Sequence, residues 1–194
     1  GVKSYNVISP NNGYGPQTIR VLTPTNPAAG VAHNFLIVLP VESGLNSVFG
    51  DGLATLQSLN AQNQYNVTII EPTFTINSWY ANNPNDPQLQ YETFMTQELV
   101  PWIKQNLATT GNEQTWLIGF SKSGIGGQDL ILKHPDVFTQ LGLWDATPER
   151  FRLHAVATWH EAPFFTERER AALVLTDEIT LIADSHVPRD AFET

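Results

Sequence analysis

The chain has 194 residues, a formal net charge of −9 at neutral pH and no cysteine. That length holds one domain with a substantial core. The negative charge disfavours a phosphate backbone or an anionic membrane as partner, and the absence of thiols excludes thiolate metal sites, redox pairs and disulfides. No apolar run approaches the roughly 20 residues needed to cross a bilayer. The opening GVKSYN has no basic-then-apolar leader pattern, and localisation stays open.

Short β-branched or aromatic runs bounded by Asn, Gly and Pro predict strands at YNVIS, QTIRVLT, NFLIVLPV, NVTIIEP, TWLIGF and TQLGLWDA. Between them, DGLATLQSLNAQ and YETFMTQELVPWIKQNL carry apolar residues at helical spacing, with Phe94, Leu99 and Ile103 on one stripe and Pro101 expected to weaken or kink the second helix. QDLILKHPDVF predicts a helix ending before Pro135. Alternating strands and helices imply a mostly parallel sheet covered on both faces. The first two strands, with no helix between them, imply an antiparallel edge hairpin. The expected fold class is α/β, in three layers.

Composition changes near Asp145 to Glu149. Every Lys precedes that point, all Arg except Arg20 follow it, and Asn and Gly disappear beyond it. This predicts a body over residues 1–148 and a helical tail over 149–194, packed together as one folded unit. The change fits either an ordinary helical end, since helices favour Arg, Glu, Ala and Leu over Gly and Asn, or a junction between segments of different origin. In the tail, Leu173, Leu175, Ile179 and Ile182 form an apolar side on a charged helix. That side either covers the sheet or forms a homo-oligomer seam.

Ligands in such sheets collect at the carboxyl ends of the strands. Two ends stand out. LIGF runs directly into Ser121, between the small residues Gly119 and Ser123 and followed by Gly124, as a strained strand-to-helix turn requires when it presents a nucleophile. LIVLP runs into a loop whose N–H groups near Val41 and Glu42 can face a developing oxyanion, with the N–H of Lys122 as the other donor. The glycines 124, 126 and 127 serve close helix packing. FSKSGIGG has neither P-loop nor dinucleotide-binding order. Glu42 and Tyr80 are candidate pocket residues, with Tyr80 equally readable as a loop anchor.

LIVLPVESGLNSVFGDG, SWYANNPNDP and LIGFSKSGIGGQDLILKHPDVFTQLGLWDA, within residues 31–145, resemble the esterase branch of the α/β-hydrolase superfamily. The resemblance implies Ser121 as nucleophile and an oxyanion hole from backbone at Val41 or Glu42 and at Lys122. It also implies a triad ordered Ser, acid, His, whose last two members follow strands not evident here, so the body reads as a truncated member. The stretch RLHAVATWHEAPFFTERERAALVLTDEITLIADSHVP is similar to the helical carboxymuconolactone decarboxylase and alkylhydroperoxidase-like family. That family's redox site needs a Cys-x-x-Cys pair, so no peroxidase site carries over, and the two resemblances together imply a chimera.

For the remaining catalytic partners, Asp145 either orients an imidazole or caps a helix beginning near Pro148. His160 is the marginal choice of base over His154 and His186. His154 and His160 lie about 240° apart around a helix, and Glu161 does not complete an HExxH pattern, so no metal site and no cofactor is expected. Two functions stand at this stage. One is a serine hydrolase taking a small-molecule ester or lactone. The other is a weakly active or inactive hydrolase remnant that binds small molecules or associates through its tail.

Overall fold

The computed structural model describes residues 1–27, 30–43, 50–76, 78–146 and 166–180, and in the last stretch the side chains of 166–168 and 170–174. The chain divides into two compact units, Gly1–Thr147 and Pro148–Thr194.

The first unit is built on a six-stranded sheet of order β1-β2-β4-β3-β5-β6. Its strands are β1 (Lys3–Ser9), β2 (Asn12–Leu22), β3 (Phe35–Leu39), β4 (Thr68–Thr73), β5 (Thr115–Phe120) and β6 (Gln140–Trp144). β1 and β2 form the expected antiparallel hairpin, and β2 also pairs antiparallel with β4. From β4 onward every pairing is parallel: β4 with β3, β3 with β5, and β5 with β6.

Period-2 alternation sends the two sets of apolar side chains to opposite faces. Phe35, Ile37, Leu39, Ile70 and Leu117 enter the larger core with Phe94, Leu99, Ile103 and Leu130. Val38 and Ile69 enter the smaller one with Leu53 and Ala61, and Leu36, Trp116 and Ile118 pack against it. Helices therefore cover both faces. The smaller core lies under α1 (Gly52–Ser58) and α2 (Ala61–Gln64); the larger lies under a helical run from residue 91 to 107 and α5 (Lys122–Lys133). The run consists of α3 (Tyr91–Thr93), a π-helical stretch (Phe94–Leu99) and α4 (Val100–Leu107).

Two local expectations change. The single helix predicted over DGLATLQSLNAQ is two helices, broken where Asn60 takes φ 56°, the left-handed conformation that Asn tolerates. Where a weakened or kinked helix was expected at Pro101, the helical run continues through it with a π-helical stretch just before it. The backbone shifts register there, with the Val100 N–H bonded to the Met95 carbonyl, so Pro101 falls in the first turn of the α segment that follows, where proline is best tolerated.

In the second unit, α6 (Glu167–Thr180) realises the predicted tail helix. Leu173 is half-buried and Val174 exposed; the side chains of 175, 179 and 182 on the predicted apolar stripe lie outside the described residues. Among the described residues no helix is long and apolar enough to cross a membrane.

Candidate active site

Ser121 is the single residue between β5 and α5 and holds φ 50°, ψ −123°, a combination that side chains strongly resist. Its neighbours explain how the turn is held. A Cβ on Gly119 would stand 2.7 Å from both the Gly124 Cα and the Ser123 carbonyl oxygen, so the helix start lies directly on the strand end. Ser123, at the position where a second small residue is required, is fully buried. Its Oγ accepts from the Phe120 N–H at 3.0 Å and donates to the Phe120 carbonyl at 2.9 Å, bracing the turn from within. The Ser121 hydroxyl, by contrast, makes no capping bond to α5. Glycines 124, 126 and 127 meet Ala146, Tyr80, and Leu141 with Leu39, at distances too short for any side chain, so close packing is their role.

The register sets what lies beside Ser121. Leu39 pairs with Gly119 as the last pair of β3 with β5, so the chain runs on from both strands, into Pro40 and Val41 and into Phe120 and Ser121, at the carboxyl edge of the sheet. On the other side Phe120 pairs with Trp144, and the Ser121 N–H donates to the Trp144 carbonyl at 3.0 Å. The Lys122 N–H belongs to the first turn of a 12-residue helix, where amides lack intrahelical acceptors and carry the positive end of the dipole. The Lys122 N–H thus adjoins the serine at the amino end of α5. The Lys122 ammonium lies 5.3 Å from the Trp79 ring centre. Burial lowers its pKa, with Glu42 opposing.

A cavity of about 420 Å³ opens along this edge on the α1 face. Val41, Glu42, Gly119 and Phe120 line the part nearest the turn, and Arg20, Asp51 and Glu71 line its polar end. Sequence reasoning passed over this polar trio. Arg20 donates to both Asp51 oxygens at 2.7 Å and to Glu71, while Glu71 also accepts from the Leu53 N–H at 3.0 Å. Burial raises the Glu71 carboxyl above its usual range against the pull of Arg20, whereas the hydrogen bond from Arg20 lowers Asp51. The available signal was a charge in the middle of each of two apolar strands, QTIRVLT and NVTIIEP.

Tyr80 does not line the cavity as expected. It is fully buried, because its ring joins the larger core edge-on to Phe74 and its hydroxyl finds an acceptor in the Pro40 carbonyl at 2.7 Å. Asp145 is exposed at the end of β6 with φ 50°. The helix it was expected to cap, and His160, lie outside the described residues, as do His154 and His186. The described histidines sit elsewhere: His33 precedes the amino end of β3, and His134 ends α5 with its Nε2 2.9 Å from Glu92. Among the described residues no three metal-ligating side chains cluster.

A sheet of order 1-2-4-3-5-6 with a strained serine between its fifth strand and the following helix defines the α/β-hydrolase fold. The model of the Putative esterase family matches residues 40–172, well over half of the chain, and the chain belongs to that family. The match runs past the change of composition at 145–149. Among solved structures, the chain is similar to MPT51 of Mycobacterium tuberculosis, with 21% identity and a TM-score of 0.54 over 71% of this chain and 48% of that one. It is also similar to an S-formylglutathione hydrolase from Agrobacterium tumefaciens, with 16% identity and a TM-score of 0.54 over 74% and 56% of the two chains. A third similar structure is the BES protein from Bacillus cereus, with 14% identity and a TM-score of 0.53 over 96% and 83%. The chain spans about half the length of the first two. No curated protein matches it.

Proposed function

We propose that the chain is a serine hydrolase of carboxylic esters in which Ser121 attacks the ester carbonyl. The backbone N–H groups of Val41 and Lys122 receive the oxyanion, and the acyl-serine formed is released by water. The observation that carries this reading is the backbone of Ser121: φ 50°, ψ −123° at the amino end of a helix, a strained state with no packing purpose of its own. Family membership and the similarity to an S-formylglutathione hydrolase support it. In this reading Asp145 orients the imidazole that takes the serine proton, His160 is that imidazole, and small esters or lactones are the substrates.

The test is mass spectrometry after treatment with an organophosphonate ester. The label is expected on Ser121 and absent from Ser121→Ala. A parent protein that turns over an aryl ester while Ser121 stays unlabelled sinks the assignment.

One observation favours a second reading. The described histidines, His33 before the amino end of β3 and His134 beside Glu92, both stand away from the carboxyl edge. In that reading the chain is a weakly active or inactive remnant, its cavity binds small molecules, and the tail, similar to the carboxymuconolactone decarboxylase family, mediates association. The family match to residue 172 weighs against a separate origin for the tail. Sedimentation of the full chain against residues 1–148 separates the two: loss of a dimer on truncation supports the second reading.

A further inference from the structure

We infer that Tyr80 is a positioning residue that holds the Val41 N–H in place as an oxyanion donor, acting through the Pro40 carbonyl. The inference rests on the serine-hydrolase reading above and concerns a side chain that touches neither substrate nor nucleophile.

The Pro40 carbonyl and the Val41 N–H are the two ends of one peptide group. That group is planar and trans, so its C=O and N–H point in opposite directions, and fixing the first fixes the second. The Tyr80 hydroxyl donates to the Pro40 oxygen at 2.7 Å. The peptide needs such a hold, because the register of β3 with β5 ends at Leu39 and Gly119, and Pro40 has no N–H with which to extend the ladder. A free peptide plane there would let the Val41 N–H swing away from the space beside Ser121.

Tyr80 is itself immobile. It is fully buried, edge-on to Phe74 with ring centres 5.8 Å apart, and its ring lies so close to α5 that a Cβ on Gly126 would stand 2.5 Å from its Cδ2. The same ring therefore touches the helix that carries the Lys122 N–H and holds the peptide that carries the Val41 N–H. One rigid side chain spaces the two donors. Its backbone has φ 59°, an outlier for an aromatic residue, in a turn closed by the Tyr80 N–H donating to Ser78 Oγ at 3.0 Å. Strain of this kind persists where the surroundings over-determine a position, and it collects at functional sites. Burial, reinforced by Glu71 and Tyr91, pushes the phenol well above its ordinary pKa, so it stays a donor throughout the working range.

Tyr80→Phe removes only the hydroxyl and tests the inference on the full chain. The readouts are p-nitrophenyl acetate turnover, the rate of Ser121 phosphonylation, and the Pro40 carbonyl and Val41 amide NMR shifts. Expected are a kcat lower by about 10- to 100-fold with KM nearly unchanged, phosphonylation slowed to match, and a displaced Val41 amide; loss of a whole oxyanion donor sets the ceiling of about 10²–10³. Replacing Tyr80 by 4-aminophenylalanine, which returns an N–H donor to the same place, is expected to restore kcat. It also serves as the reference if Tyr80→Phe melts early. An unmoved Val41 amide, an unchanged kcat, or a 4-aminophenylalanine variant no faster than Tyr80→Phe overturns the inference while leaving the serine assignment standing. A parent chain that takes no label on Ser121 overturns the serine assignment, and the role of Tyr80 with it, whatever the amide does.

Discussion

Ser121 and Asp145 each stand one residue past the last pair of two adjacent parallel strands, Phe120 opposite Trp144, and each holds φ 50°. The Ser121 N–H closes on the Trp144 carbonyl, so the two turns leave the sheet from one edge. A non-glycine residue in such a state costs about 1–3 kcal/mol. Ser121→Gly is therefore expected to raise stability by about 1 kcal/mol over Ser121→Ala, which retains the strain, while both abolish labelling. Urea unfolding of the two variants side by side measures the difference; equal stabilities would show that the turn is unstrained.

Gly119 has the opposite sensitivity. Alanine there places a methyl against backbone atoms of Ser123 and Gly124 that cannot rotate away. Gly119→Ala should cost about 3 kcal/mol, at the upper end of overpacking penalties, and should slow phosphonylation of Ser121 because the helix start must move off the strand. Thermal melting with labelling kinetics reports both.

The polar end of the cavity depends on Arg20. Removing it leaves Asp51 and the buried Glu71 as adjacent unpaired carboxylates. Arg20→Met is expected to lose about 3 kcal/mol near neutrality, the usual consequence of breaking a buried pair. The loss should shrink as pH falls through the carboxylate range, since protonation removes the charges that have lost their partner. Denaturant melts from pH 7 down to pH 4 follow it. A deficit independent of pH would indicate lost packing alone.

Glu113 supplies a pH dependence of its own. Its carboxylate accepts the N–H groups of Thr109, Thr110 and Gly111 at 2.7, 2.7 and 2.9 Å. Burial pushes the group up, but the bonds from Thr110 and Thr109 outweigh it and hold the pKa at about 2. A folded pKa below the unfolded value of about 4.3 means that the stabilisation is present above that value and is lost as pH falls toward 2. The stability gap between the parent and Glu113→Gln should therefore be widest near neutrality and close between about pH 4 and pH 2. A gap that widens on acidification contradicts the assignment.

The proton acceptor is tested by comparing His154→Ala, His160→Ala and His186→Ala on one activated ester. The true base should lose roughly 10²- to 10⁴-fold in rate with binding nearly intact, His160 being the expected one, and Asp145→Asn should lose activity with it. Parent-like rates in all three histidine variants place any turnover on Ser121 and the backbone donors alone.

The six strands, the helices between them, the antiparallel start and the serine at the end of β5 were legible in the residues, because each depends on local periodicity and on where small or ring-constrained residues interrupt it. Ser123 in place of a glycine was legible as an anomaly, but its double bond to Phe120 was not, since a hydroxyl's partner depends on how the turn closes. The order of the sheet, with β3 between β4 and β5, brings Leu39 opposite Gly119 across some 80 residues of chain. Such pairing follows from burying both faces at once, which no local window contains. The same holds for Arg20 with Glu71 and for Tyr80 with Pro40. A charge inside a strand or a tyrosine in a loop announces that a partner is required, and only the tertiary structure decides which one, because the free energy of leaving a buried polar group unpaired is charged to the whole fold.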